Sequence, residues 1–159
     1  MEWKRTKADD PDFIGLVAEL DSHLWGLYPE EQHEYAPKNV MDKSALILIC
    51  LEEGEPVGCG CLRPYEGEIG CNNKVVEFKR MYVKKESRNK GTGRKILEQL
   101  EAWAAEMGYP YGILETGPKN VEALSLYRRY GFQLIENYGF YKGRTNSICF
   151  GKGIGHVET

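Results

Sequence analysis

Apolar positions along this chain recur with two periods. Phe13, Ile14, Leu16, Val17, Leu20 and Leu24 fall at helical spacing behind Asp10-Pro11, a pair suited to starting a helix. Residues 29–35 read as a second short helix or a loop. The apolar run 45–52, the turn Glu53-Gly54-Glu55-Pro56 and the run 57–63 predict a hairpin. A polar loop over 64–73 leads to a third strand, Val75–Val83. The strongest helix covers 91–108, where Ile96, Leu97, Leu100, Trp103, Ala104 and Met107 form one stripe and Gly108 and Pro110 end it. A short strand at Tyr111–Thr116 follows. Asn120 is read as the cap of a further helix that stops at Gly131, and 132–135 and 140–150 as closing strands. This order predicts a mixed sheet with helices on both faces.

Composition narrows the classes. A length of 159 residues predicts a single domain, 1–159, large enough to hold its core without staples. The formal net charge of −3 gives no basic excess for nucleic acid. No apolar run nears a membrane span, and the first residues lead into no signal-peptide core, so a cytoplasmic location is the expectation. Cys50, Cys59, Cys61, Cys71 and Cys149 are an odd number, which points to reduced thiols. Cys59-Gly60-Cys61 places both sulfurs on one strand face. His23, His33 and His156 show no ligand spacing, so buried strand thiols are expected there rather than a redox or metal site.

The turn Arg88-Asn89-Lys90-Gly91-Thr92-Gly93-Arg94 joins the third strand to the long helix. The first amides of a helix have no partner within it, and the helix dipole adds partial positive charge there. With Arg88, Lys90, Arg94 and Lys95 nearby, a diphosphate is the expected guest. The string is neither G-x-x-x-x-G-K-[ST] nor G-x-G-x-x-G, since Ile96 stands at the third glycine position.

The remaining pattern, R-x-x-G-x-G between strand and helix, resembles the acetyl-CoA loop of the GCN5-related N-acetyltransferase (GNAT) superfamily. Upstream, Glu77-Phe78-Lys79-Arg80-Met81-Tyr82-Val83 is similar to the family's E-[IL]-K-R-M-Y-V strand. Downstream, Asn120, Ala123, Tyr127 and Gly131-Phe132 match N-x-x-A-x-x-x-Y…G-F. The resemblance implies an α/β (α+β) fold whose mixed, mostly antiparallel central sheet is flanked by helices on both faces. It implies acetyl-CoA as co-substrate, no metal, and transfer to the primary amine of a small molecule. Asn89, Lys90, Gly91, Thr92, Gly93 and Arg94, with Arg88, would hold the diphosphate. Met81, Tyr82 and Val83 would pair with the pantetheine arm, and the Met81 amide would face the thioester oxygen. Tyr127 is the candidate acid, with Tyr130 as fallback. Glu77 is the candidate base, with Glu115 as rival. Asn120 caps the helix, touches CoA, or does both.

The acceptor is less legible. By family habit its pocket is framed by the first helices and the last hairpin, here Trp25, Tyr28, Glu30, Glu31, His33, Glu34, Tyr35, Tyr138 and Tyr141. Arg63 and Arg80 could pair with a substrate carboxylate. The acidic first half leans toward a cationic amine, such as an amino acid or polyamine. Alternatives are a non-catalytic acyl-CoA-binding module and an acetyltransferase for protein N-termini or lysines. A homodimer is compatible with the family's habits.

Overall fold

The computed structural model describes residues 1–35, 41, 44–67, 69 and 74–155, with Glu34 described through its backbone alone. Cys71 and His156 lie outside these residues. The elements are β1 (Glu2–Thr6), α1 (Pro11–Leu27), α2 (Gln32–Tyr35), β2 (Leu46–Glu52), β3 (Glu55–Tyr65), β4 (Val75–Val83), α3 (Thr92–Glu106), β5 (Tyr111–Thr116), α4 (Val121–Tyr130), β6 (Gln133–Ile135) and β7 (Ile148–Gly153). The strands form one sheet in the order β1-β2-β3-β4-β5-β7-β6. β4 and β5 run parallel, and the other neighbours are antiparallel.

The apolar run of β2 is continuous because both faces of the sheet are covered. Leu48 and Cys50 join Ile96, Leu97 and Leu100 of α3, together with Tyr127 of α4. Ile47 and Ile49 point the other way, against Phe13 and Leu16 of α1. Alternation on a strand sends neighbouring side chains to opposite faces, so each face keeps its own core. β3 carries Gly58 and Gly60 where α3 presses closest. A Cβ there would sit 2.8 Å from Ile96 Cδ1 and 2.6 Å from Leu100 Cδ1, respectively.

Helix starts and stops follow local chemistry. Asp10 caps α1, accepting from the Asp12 amide at 2.9 Å, with Pro11 in the first turn. Gly108 and Gly131 take the positive φ that ends α3 and α4. Asn120 occupies the cap position of α4, but its side chain makes no capping bond. The expected cap is therefore positional only.

Three other expectations change. β1 is a strand although its sequence is mostly polar; it pairs with β2 from Glu2↔Leu51 to Thr6↔Ile47. The last strand does not span 140–150: Gly139–Tyr141 form a 3-10 turn, and β7 runs later. β3 extends through Pro64 and Tyr65, shortening the loop read over 64–73. Cys59 and Cys61 do share a face, in the α1-side core. They are buried free thiols, as are Cys50 and Cys149, and burial pushes the Cys59 thiol up to about 12. Among the described residues no His, Cys, Asp and Glu group is placed to hold a metal, and no helix is long and apolar enough to cross a membrane.

Two irregularities of β4 create the site. Its parallel ladder to β5 ends at Glu77↔Ile113, although both strands continue, so the sheet splays beyond that point. On the other edge Cys61 pairs with Lys79 but Cys59 with Tyr82, so β4 carries one extra residue and the ladder skips Arg80 and Met81. This is a bulge. Arg80 there holds φ at +55°, a conformation non-glycine residues adopt at a cost of roughly 1–2 kcal/mol.

Candidate active site

The turn from β4 into α3 begins with a 3-10 turn at Lys85–Ser87. Asn89 and Gly91 then take positive φ, +64° and +79°. This reversal aims the start of α3 back along β4. The Lys95 amide reaches the Gly91 carbonyl at 3.1 Å. Helix geometry leaves the amides of Thr92, Gly93 and Arg94, ahead of it, without an intrahelical acceptor. Arg88 is fixed by its Nε–H donating to the Val83 carbonyl at 2.8 Å, and it lies over the Tyr82 ring. A Cβ on Gly93 would sit 3.0 Å from Leu126 Cδ2, so glycine there lets α3 and α4 approach.

A cleft of about 810 Å³ opens between this turn, β4 and α4. Its walls include Met81, Tyr82, Val83, Arg88, Asn89, Gly91, Thr92, Gly93, Arg94, Asn120 and Tyr127. The sequence-predicted co-substrate residues thus come together with one exception. Lys90 is exposed at the tip of the turn and does not line the cleft.

A smaller pocket of about 110 Å³ lies on the other side of the splay, walled by α1, α2, β4 and β5. It shares Leu20, Met81, Asn120 and Tyr127 with the large cleft, so the two cavities meet at Met81 and Tyr127. Tyr127 is buried, and its hydroxyl donates weakly to Met81 Sδ at 3.9 Å. Burial, then the charge of Glu115, push its phenol well above the ordinary range. It therefore holds its proton at every physiological pH.

Glu77 and Glu115 lie on the same face of neighbouring parallel strands: Glu77 pairs in register with Ile113, two residues before Glu115. Glu77 is 2% exposed. Its Oε1 accepts from Arg63 Nη2 at 2.9 Å, and its Oε2 accepts from the Tyr138 hydroxyl at 2.7 Å. Glu115 is raised to about 7. Burial is the main cause; Ser147 and Lys79 oppose it, and the Glu77 charge adds to it. Lys79, two residues after Glu77 on the same face of β4, is held below its ordinary value, chiefly by burial.

The expected acceptor frame assembles in part. Tyr28, Glu31, Tyr35, Tyr141 and Arg80 line the small pocket. Tyr28 is fixed by the Lys119 amide, which donates to its hydroxyl at 2.7 Å. Trp25, Glu30 and His33 do not line it; Trp25 and His33 instead meet edge to face. Tyr138 and Arg63 do not line it either; both donate to Glu77. The side chain of Glu34 is outside the described residues. Gln32, Lys79 and Asn146 are lining residues that sequence reasoning missed. Lys79 had a signal, the period-2 spacing from Glu77; Gln32 and Asn146, in a four-residue helix and a turn, had none.

The family model for the acetyltransferase (GNAT) family matches residues 12–132, and the chain belongs to that family of N-acetyltransferases. It is 34% identical over 130 residues to an IAA acetyltransferase of Azospirillum brasilense, covering 80% of this chain and 81% of that one. The crystal structure of a putative acyl-CoA N-acyltransferase from Klebsiella pneumoniae superposes with a TM-score of 0.77 at 27% identity, over 97% of both chains. A GNAT family acetyltransferase from Elizabethkingia anophelis with acetyl-CoA bound shares the fold, with a TM-score of 0.69 at 20% identity over 96% and 97% of the two chains.

Proposed function

We propose that this protein moves the acetyl group of acetyl-CoA to the primary amine of a small molecule, with both substrates bound at once. The observation that carries this is the meeting of two cavities at Met81 and Tyr127. One is long and ends on helix amides and arginines. The other is small and lined by carboxylates.

The amides of Thr92, Gly93 and Arg94, with Arg88 and Arg94 side chains, hold the diphosphate. One helix end contributes only about 0.3–2 kcal/mol through its dipole, so direct N–H bonds and guanidinium groups do most of this work. The β4 edge beyond Glu77, left unpaired by β5, accepts the pantetheine arm as a strand accepts a neighbour. The Met81 amide, skipped by the β3 ladder, donates to the thioester oxygen as charge builds there. Asn120, with no capping duty, is positioned at the junction of the two cavities.

Between the two carboxylates, Glu115 is the better base. Both oxygens of Glu77 already accept bonds, whereas Glu115 is kept basic chiefly by burial, with the neighbouring Glu77 adding to it. A base near 7 is matched to neutral operation. Tyr127 then protonates the leaving sulfur. The two steps are linked: once Glu115 has taken the amine proton, the charge that helped Tyr127 retain its own proton is gone. The pocket volume, and the small-molecule acceptor in the name of the Azospirillum relative, support a small acceptor.

The test is CoA release across a panel of primary amines, with Tyr127→Phe as control. Amine-dependent release that collapses in the variant is expected. Tight acetyl-CoA binding with no release on any amine would point to a binding module instead.

A further inference from the structure

We propose that the acceptor is a zwitterion: its amine end lies between Glu31 and Glu115, and a free carboxylate on the same molecule is taken by Arg80. This rests on the transfer reading above and names the substrate class for it, an amino acid or close analogue rather than a polyamine.

Among the described residues, two buried side-chain polar atoms lack a hydrogen-bond partner. One is an acceptor, Glu31 Oε2; the other is a donor, Arg80 Nε. Both residues line the same small pocket. They come from unrelated parts of the chain, the turn before α2 and the bulge of β4. Buried polar atoms are almost always paired, and an orphan is costly unless a ligand supplies its partner. An orphan acceptor and an orphan donor in one pocket call for a ligand with a donor at one end and an acceptor at the other.

Arg80 suits a carboxylate in particular. Its side chain is 3% exposed, and it is paired through Nη2 with Asp21 of α1, which is 46% exposed. Asp21 steadies the guanidinium from the rim but leaves Nε unused. A guanidinium presents paired N–H donors that match the two oxygens of a carboxylate. Both orphan atoms are covered from solvent, so a ligand engages them through a small turn of the side chains. A polyamine leaves Arg80 unsatisfied and brings a second cation beside Arg80 and Lys79. The other arginine considered for this role, Arg63, already holds Glu77.

The experiment is calorimetric titration of the full chain, saturated with CoA, with the proteinogenic amino acids and with their carboxamides. At least one amino acid binds, and its amide binds about 10- to 100-fold more weakly, the loss expected for a charge-assisted bond. Arg80→Met weakens the acid and not the amide, bringing the ratio near one; Glu31→Gln weakens both. Should Arg80→Met not fold, Arg80→Lys, which keeps the charge without the fork, must narrow the ratio, and the acid-to-amide comparison on the unaltered protein still decides. Equal binding of acids and amides, or no binding by any amino acid, overturns the proposal and leaves the two orphan atoms to bridging water. Turnover with acetyl-CoA is scored separately. Amino acids that bind without CoA release overturn the transfer reading and keep the carboxylate site. Carboxylate-free amines acetylated with equal kcat/KM do the reverse.

Discussion

Replacing Glu115 by glutamine separates proton removal from folding. In the native protein Glu115 keeps its proton up to about pH 7, against an ordinary value of 4.5 in the unfolded chain. Between those values the native state binds more protons than the unfolded state. The stability this group contributes is therefore complete below 4.5 and drains away as pH rises to about 7. At about 1.36 kcal/mol per pH unit the loss comes to about 3 kcal/mol. Glutamine fills the same space and can still accept from Ser147, but it carries no charge to desolvate. Glu115→Gln should thus be about 3 kcal/mol more stable than the parent at pH 8, and no more stable at pH 4.5. For a chain of this size that is roughly 6–12 °C in melting temperature. The same variant should lose about 10²–10⁴-fold in kcat if Glu115 is the base. The acid limb of kcat/KM, with an apparent pKa of about 7, should vanish with it. Paired measurements suffice: urea or thermal unfolding at pH 8 and 4.5, and a pH-rate profile. A variant less stable than the parent at pH 8 would refute the desolvation argument, and a retained acid limb would refute the catalytic one.

Tyr127→Phe should lower kcat by about 10²-fold or more with little change in acetyl-CoA affinity, because among the described residues the hydroxyl's one hydrogen bond is the long one to Met81 Sδ; steady-state kinetics with calorimetry checks both halves. Arg63→Met removes the ion pair of the nearly buried Glu77, leaving Tyr138 and the nearby Lys79, and should cost about 1–3 kcal/mol, read by urea unfolding, since a buried acceptor that loses a charged partner is expensive. Gly60→Ala drives a methyl into Leu100 and Ile96, both fully buried, and should cost about 1–3 kcal/mol by the same assay, without altering the shape of the pH-rate profile.

Legibility in the sequence followed the kind of force at work. Elements built on one-dimensional periodicity were readable: the α3 stripe from Ile96 to Ala104 and the β2–β3 hairpin are local patterns. The diphosphate turn was readable because its glycines and arginines sit together in the chain. β1 was not, since Glu2-Trp3-Lys4-Arg5-Thr6 has little apolar character of its own. It is held by pairing with β2 and by Arg5 lying over Trp103, partners far away in sequence. β7 was misplaced because Gly151 and Gly153 weaken its strand signal. Gly151 is small for a tertiary reason: a Cβ there would collide with the Tyr111 hydroxyl at 2.0 Å. In the site, Glu77 and Glu115 were both candidates from sequence, but what distinguishes them, the bonds from Arg63 and Tyr138 that occupy both oxygens of Glu77, arises only when β3, β4 and the 138–141 turn converge. The orphan atoms of Glu31 and Arg80 likewise have no sequence signature.

The most direct test of the account is a crystal structure of the protein with acetyl-CoA. The thioester oxygen should lie within hydrogen-bond distance of the Met81 amide, the sulfur against the Tyr127 hydroxyl, and the diphosphate on the amides of Thr92, Gly93 and Arg94. Acetyl-CoA bound with its diphosphate away from that turn, or its sulfur remote from Tyr127, would contradict it.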